Sequence, residues 1–519
     1  MMRRRRKSSS REAGEGQTYS GSPKELTAEG ACRLEGVRQF WVVSCFKLIR
    51  SLRVGLAAAG WVSAFGAVSL FAQATGNLPA LPARHVLARE IFRELIEINS
   101  TEKNGCTQAA VAMAARLKAA GFADADLTLA GPRPQNQNLV VRLRGSGAQR
   151  PVLFIGHLDV VEALRADWTT DPFTFVEQGG YFYGRGTTDM KDSDAALVVS
   201  LIRLKQAGYV PTRDIIVALT DHEESGEANG VEWLLKNRRD LVDAEFCINP
   251  DGGNGEIKHG KPVMLEFQTA EKTYLAFQVE ATNRGGHSSL PVKDNAIYRL
   301  AAGLSRLAAY EFPVELNETT RTFFARSALR ETGRTRADML AMAQLPLDRA
   351  AADRLAASSA FYNALLRTTC VATLLSGGHA ENALPQRARA VLNARMLPGG
   401  SPDAVWATLK TVLADDELKI TRLDAVEGSP LSLLRPDVFG KVERLTTAMW
   451  PGVTVTPIMS TGATDGVHLR KAGIPVYGVS GSFIEIDDHR AHGKDERLGV
   501  KEFYAAVDFM HELMKTLTE

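Results

Sequence analysis

Three short apolar runs each break off into a cluster of titratable residues, and this repetition constrains the fold more than any other feature of the sequence. Val152 to Ile155 leads into Gly156-His157-Leu158-Asp159, Ile215 to Leu219 into Thr220-Asp221-His222-Glu223-Glu224, and Phe246 to Ile248 into Asn249-Pro250-Asp251. Short apolar runs bounded in this way predict buried strands. Helical patterns separate them, at Ala195 to Ala207 and Val231 to Lys236, and Leu139 to Leu143 adds another strand-like run. Strands alternating with helices predict an α/β fold on a mostly parallel sheet. Such sheets bind ligands beyond the carboxyl ends of their strands, which is where these polar clusters fall.

The 519 residues, 45% of them hydrophobic, are enough for about two domains. Leu87, Ile91, Leu95 and Ile98 recur at helical spacing, and a second helix is expected from Thr107, as N-cap, to Ala120. The alternation is interrupted near Thr269. Tyr274 to Ala281 reads as a strand, Asn295 to Tyr310 as a helix capped by Asp294, and Asn317 to Thr369 as a long helical, polar stretch. Arg389 to Arg395 then reads as a strand, Asp403 to Leu413 as a helix and Leu418 to Leu423 as a strand. The pattern predicts a layer over 75–269 and 428–519, with an α+β unit over 270–427 inserted into it.

Residues 1–74 read as a leader. Arg3 to Lys7 is basic, and Lys47, Arg50 and Arg53 precede an uncharged run from Val54 to Ala74 that ends in Ala72-Gln73-Ala74. A basic flank, an apolar stretch and a small-x-small site make a secretory signal peptide, and hence a periplasmic or secreted protein. An uncleaved anchor over 54–74 is the alternative, because the run is near spanning length. More than fifty residues precede it, which a mis-assigned start codon would explain. A net charge of +2 over the whole chain points to no nucleic-acid partner, and any membrane contact is expected only through an uncleaved leader. The five cysteines form no CxxC pair, so neither a disulfide framework nor a zinc–thiolate site is expected.

The remaining candidates for chemistry are Gly184-Arg185-Gly186-Thr187-Thr188-Asp189-Met190-Lys191 and the downstream segment from Asp488 to Arg497, which holds His492. Taken singly, the His157 segment reads equally well as an ordinary polar loop, and each of the other clusters reads better as one. Together they supply two histidines and three carboxylates, a nitrogen and oxygen donor set suited to Zn²⁺ or another divalent ion such as Co²⁺ or Mn²⁺. A shared carboxylate can bridge two such ions about 3.5–4 Å apart. Adjacent glutamates suit one ligand and one proton acceptor.

In this order, His157-Leu158-Asp159-Val160-Val161, Trp168 with Pro172-Phe173, the Gly184–Lys191 segment and Glu223-Glu224 resemble the zinc metallopeptidase family of aminoacylase, acetylornithine deacetylase, succinyl-diaminopimelate desuccinylase, glutamate carboxypeptidase and Xaa-His dipeptidase. The resemblance covers about Leu87 to Glu519. It implies a di-zinc catalytic domain with an inserted lid and dimerisation domain, and a homodimer formed through that domain. Asp189 is implied to bridge two Zn²⁺ ions, His157 and Asp251 to complete one site, and Glu224 and His492 the other. Glu223 is implied as general base, with Asp159 orienting His157. His287, in Gly285-Gly286-His287-Ser288-Ser289, is implied to stabilise the oxyanion, and Asn382 and Arg395 to bind substrate. Asp465 matches a further loop near the site.

The implied reaction is hydrolysis of an amide bond in a small peptide or N-acyl amino acid. Aspartate rather than glutamate at position 251 tilts the expectation toward dipeptides and small peptides, with an N-acyl amino acid amidohydrolase or carboxypeptidase as alternative. An inactive metal-bound peptide-binding protein is the reading of another class, and the complete ligand set with Glu223 argues against it. Two departures stand out: Asp192-Ser193-Asp194, where the family commonly has a Gly-Gly pair, and His222, where it commonly has Asp.

Overall fold

The structure, a computed structural model, describes residues 81–226, 228–423 and 428–519, all within one compact unit, Pro79–Glu519. The expected leader, 1–74, lies outside the described residues. Among the described residues no helix is long and apolar enough to cross a membrane.

The main sheet has ten strands among the described residues and is mixed, with a parallel centre. Ile215–Thr220, Val152–His157, Phe246–Asn249 and Val476–Gly478 lie side by side in that order, all parallel. Successive side chains on a strand face opposite layers. Phe154 accordingly joins the core formed with the helices Ala83–Glu97, Thr107–Ala119, Lys191–Gln206 and Val500–Thr518. Leu153 and Ile155 pack on the opposite face with Val231, Leu234 and Leu469. Strands buried on both faces read as unbroken apolar runs, which is why these were visible in the sequence.

Six strands of this sheet were not singled out in the sequence, and two of them carry conflicting local signals. Lys261–Glu271 continues into Thr273–Thr282, so the chain crosses from one sheet to another at Lys272 with no loop to mark the change. Thr454–Ser460 contains Pro457, which suits its place as an edge strand pairing, among the described residues, only with Lys261–Glu271.

Beyond Lys272 a four-stranded antiparallel sheet runs in the order Thr369–Gly377, Arg387–Met396, Thr273–Thr282, Lys419–Arg422. Helices Ala296–Ala308 and Pro402–Leu413 share its core through Leu300, Leu307, Leu409 and Leu413. The helical stretch between Glu318 and Leu366 packs elsewhere. Its Phe323, Phe324 and Met339 meet Ala270, Ile458 and Met459 of the main sheet.

Two caps differ from expectation. The helix from Thr107 begins after Cys106, because the Thr107 hydroxyl is used across the turn, donating to Pro134 O and accepting from Gln137 N. Asn295, not Asp294, caps Ala296–Ala308: its side chain accepts from Ile297 N and Tyr298 N, while Asp294 pairs with Arg299 and Asn283.

Candidate active site

The parallel strands deliver their polar ends to one rim. His157 closes Val152–His157, Glu223 and Glu224 follow Ile215–Thr220, and Asp251 follows Phe246–Asn249. Gly156 permits this, because a Cβ there would meet Asp194 Oδ1 at 2.2 Å. Asp189 comes from the turn before the helix Lys191–Gln206. That turn needs Gly186, whose φ is +88° and whose Cβ would sit 2.9 Å from Val160. Lys191, fully buried, donates to Leu95 O and Ile98 O and ties this turn to the end of the first helix. His492 arrives from the far end of the chain on a left-handed residue with φ 62°.

The five expected donors meet in two triads that share one carboxylate. Asp189 Oδ1 lies 3.2 Å from His157 Nε2, and Asp189 Oδ2 lies 3.1 Å from His492 Nε2. Asp251 Oδ1 is 3.8 Å from His157 Nε2, and Glu224 Oε1 is 2.9 Å from His492 Nε2. Donor atoms within each triad, His157–Asp189–Asp251 and Asp189–Glu224–His492, lie within 4.8 Å of one another.

The set fits divalent cations. His157 Nδ1 donates to Asp159 O at 3.0 Å, which turns Nε2 toward the cluster as the nitrogen available to a cation. That Nε2 is buried and has no hydrogen-bond partner of acceptable geometry, although carboxylate oxygens surround it. The electrostatics call for positive charge at the same place. Burial pushes the His157 imidazole down, but Asp189, Asp251 and Asp159 outweigh it and raise it well above its ordinary value. Asp189 and Glu224 hold His492 up at about 10. Burial favours the neutral Asp189 carboxyl, yet the two imidazoles outweigh it and hold the group well below the usual carboxylate range.

Asp159 supports the site differently from expectation. Its backbone carbonyl orients His157, while its carboxylate stands 3.7 Å from the ring. That carboxylate accepts instead from the amides of Glu223, at 3.2 Å, and Glu224, at 3.0 Å, and so fixes the loop carrying both. Burial, then the charges of Asp251, Asp465 and Glu224, raise the Glu223 carboxyl well above its ordinary value. Asp465 lies behind, accepting from Asn229 Nδ2 at 2.5 Å and Thr220 Oγ1 at 3.2 Å. His222 turns away and bonds Asp221 through Nδ1 at 2.9 Å. A cavity of about 400 Å³, lined in part by Glu102, Asp159, Glu162, Glu224 and Ser225, borders the cluster.

His287, Asn382 and Arg395 are not part of this cluster. His287 is exposed and pairs in register with Ala383, so that Ser288 N donates to Asn382 O at 3.0 Å. Arg395 stands at the root of the small sheet with its guanidinium 4.9 Å over the Tyr274 ring. Among the described residues no hydrogen bond or ion pair links any of the three to the five donors.

Two residues that touch the site's loops went unselected in the sequence. Arg185 and Glu496 are buried charges inside the quoted segments, and they pair at 2.7 Å. A charged side chain inside a Gly-rich turn was the available signal.

A family model described as peptidase family M20/M25/M40 matches residues 153–516. The probable carboxypeptidase S-like 2 of Dictyostelium discoideum is 29% identical over 399 residues, which are 73% of this chain and 74% of that protein. The human N-fatty-acyl-amino acid synthase/hydrolase PM20D1 is 28% identical over 376 residues, covering 70% and 74%. The M20 family metallo-carboxypeptidase Sso-CP2 from Sulfolobus solfataricus shares the fold with a TM-score of 0.64 at 18% identity, covering 83% of this chain and 99% of that one.

Proposed function

The chain belongs to peptidase family M20/M25/M40 and is an enzyme of that metal-dependent family; from this we propose that it hydrolyses the amide bond of a small peptide or N-acyl amino acid. In this proposal His157, Asp189 and Asp251 hold one divalent ion and Asp189, Glu224 and His492 a second, with zinc the preferred metal. The observation that carries it is the division of Asp189, one oxygen toward each histidine.

When bound, such ions would lower the pKa of a water held there toward neutrality. Glu223, held by Asp159 through its backbone, takes the proton and returns it to the leaving amine. His287 donates to the developing oxyanion. Among the described residues it has no hydrogen bond or ion pair with the cluster, which favours its delivery from a second copy. The edge strand Thr369–Gly377, with Val371, Leu374 and Leu375 exposed, supports a homodimer through the inserted unit. Arg395 has no carboxylate partner among the described residues. It is proposed to grip the substrate carboxylate, with Asn382 as a further substrate contact.

The acid-lined cavity beside Glu224 favours a peptide with a free ammonium group. The likeness to the carboxypeptidase and fatty-acyl hydrolase relatives favours the N-acyl amino acid. The run Val54 to Ala74 supports export to the periplasm or beyond, or anchoring in the membrane. Metal analysis with a panel of dipeptides, N-acetyl and N-lauroyl amino acids tests the proposal. Hydrolysis should stop with chelator and return with zinc. Two bound metals without turnover on the whole panel would favour a binding protein.

A further inference from the structure

We propose that Arg185 and Glu496 form a clamp that sets His492 against Asp189 and so governs occupancy of the second cation position without governing the first. The inference rests on the two-cation reading above.

The two metal-facing imidazoles are held in different ways. His157 is oriented at its ring, where Nδ1 donates to Asp159 O. His492 has no such orienting bond: among the described residues, its ring contacts are Asp189 and Glu224, both through Nε2. Its side chain is 54% exposed and its backbone is left-handed. A histidine ligand commonly depends on an outer partner at its second nitrogen. Without one, the place of His492 depends on where its backbone is held.

Arg185 and Glu496 hold that backbone. Arg185 is 2% exposed and Glu496 is 0%. Arg185 Nη1 donates to Glu496 Oε2 at 2.7 Å. Arg185 Nη2 reaches the carbonyls of His492, at 3.4 Å, and Gly493, at 3.1 Å. In return Glu496 Oε2 accepts from Gly186 N at 3.0 Å, and Oε1 from Thr188 N at 2.7 Å and Thr188 Oγ1 at 2.9 Å. The bonds therefore run both ways, from the Asp189 turn to the His492 loop and back. Trp168 covers the guanidinium, 5.1 Å from its ring. Among the described residues Asp251 has no hydrogen bond or ion pair with the clamp; its own amide donates to Asn249 Oδ1 at 3.2 Å. The planar fork of arginine serves three acceptors at once, which a lysine ammonium on its flexible stem does not reproduce.

Removing one member alone leaves a buried unpaired charge and threatens the fold. Arg185→Lys keeps the charge and loses the fork; the double variant Arg185→Met/Glu496→Met keeps the packing and loses both charges. Both are compared with the full chain by zinc titration against a competing chelator, with metal content measured directly. The wild type should bind two ions. In both variants the weaker dissociation constant should rise about 10–100-fold, with the tighter one unchanged. Fewer than two ions on the wild type would overturn the two-cation reading itself. Two ions on the wild type, with both constants unchanged in both variants, would overturn the clamp alone. A parallel loss of both ions would also overturn it, because the pair would then support the whole site rather than the His492 side.

Discussion

Replacing Asp192 by Asn should make the protein more stable above about pH 4, by an amount that grows until about pH 7. Asp192 lies in the first turn of the helix Lys191–Gln206 and is 3% exposed. Its Oδ2 accepts from Ser482 Oγ at 2.6 Å, while Oδ1 has no partner. Burial, and then the charges of Glu496 and Asp189, push its carboxyl from an ordinary 3.8 up to about 7. The unfolded chain thus releases this proton near pH 4, while the folded protein keeps it to about pH 7. Across that window the folded state binds more protons, so stability falls as pH rises and then levels off. The span is roughly 3 units at 1.36 kcal/mol each, or about 4 kcal/mol at pH 8. Asparagine keeps an oxygen for Ser482 and cannot ionise. The unfolding free energy in urea, measured for Asp192→Asn and wild type at equal zinc, should differ by up to that amount at pH 8. The gap should close below pH 4. A gap independent of pH, or a variant less stable at pH 8, would show that the fold compensates the ionised carboxylate and that burial does not control it.

Two further outcomes are expected. Glu223→Gln should lower turnover by at least about 100-fold while metal content stays at the wild-type value, since one proton carrier is lost and no proposed ligand changes; wild-type turnover would remove Glu223 from the reaction. His511 is mostly buried on the last helix with Nδ1 unpartnered, and burial, followed by the charge of Arg203, holds its imidazole down at about 4. The unfolded chain gains that proton near pH 6.5, so this share of stability is whole above 6.5 and is lost as pH falls toward 4. His511→Leu should show a smaller drop in urea midpoint between pH 7 and pH 4.5, and an unchanged drop would assign the acid sensitivity to other groups.

The α/β layer was legible because its central strands are buried on both faces and so stand out as apolar runs with polar ends. Less was legible where local signals conflict. Thr454–Ser460 carries a proline, and Lys261–Glu271 passes into a second sheet without a turn. The helices between Glu318 and Leu366 showed their periodicity but not their partner, since the same apolar stripe would serve either sheet.

What the sequence determined by itself was the donor chemistry and the strand ends that carry much of it: imidazoles and carboxylates without thiolates, with His157, Glu224 and Asp251 each just past an apolar run. Residue type and local pattern decide those things. The resemblance implied a shared Asp189, and the tertiary structure supplied the geometry, one oxygen toward each of two histidines more than 300 residues apart. The tertiary structure alone put Asp159 to work on the glutamate loop, buried Asp192 and Asp194 beneath the site, and joined Arg185 to Glu496. Such pairings depend on how the turns after separate elements meet. Short-range pattern carries no record of that, because two loops far apart in sequence become neighbours only when the sheet between them has formed.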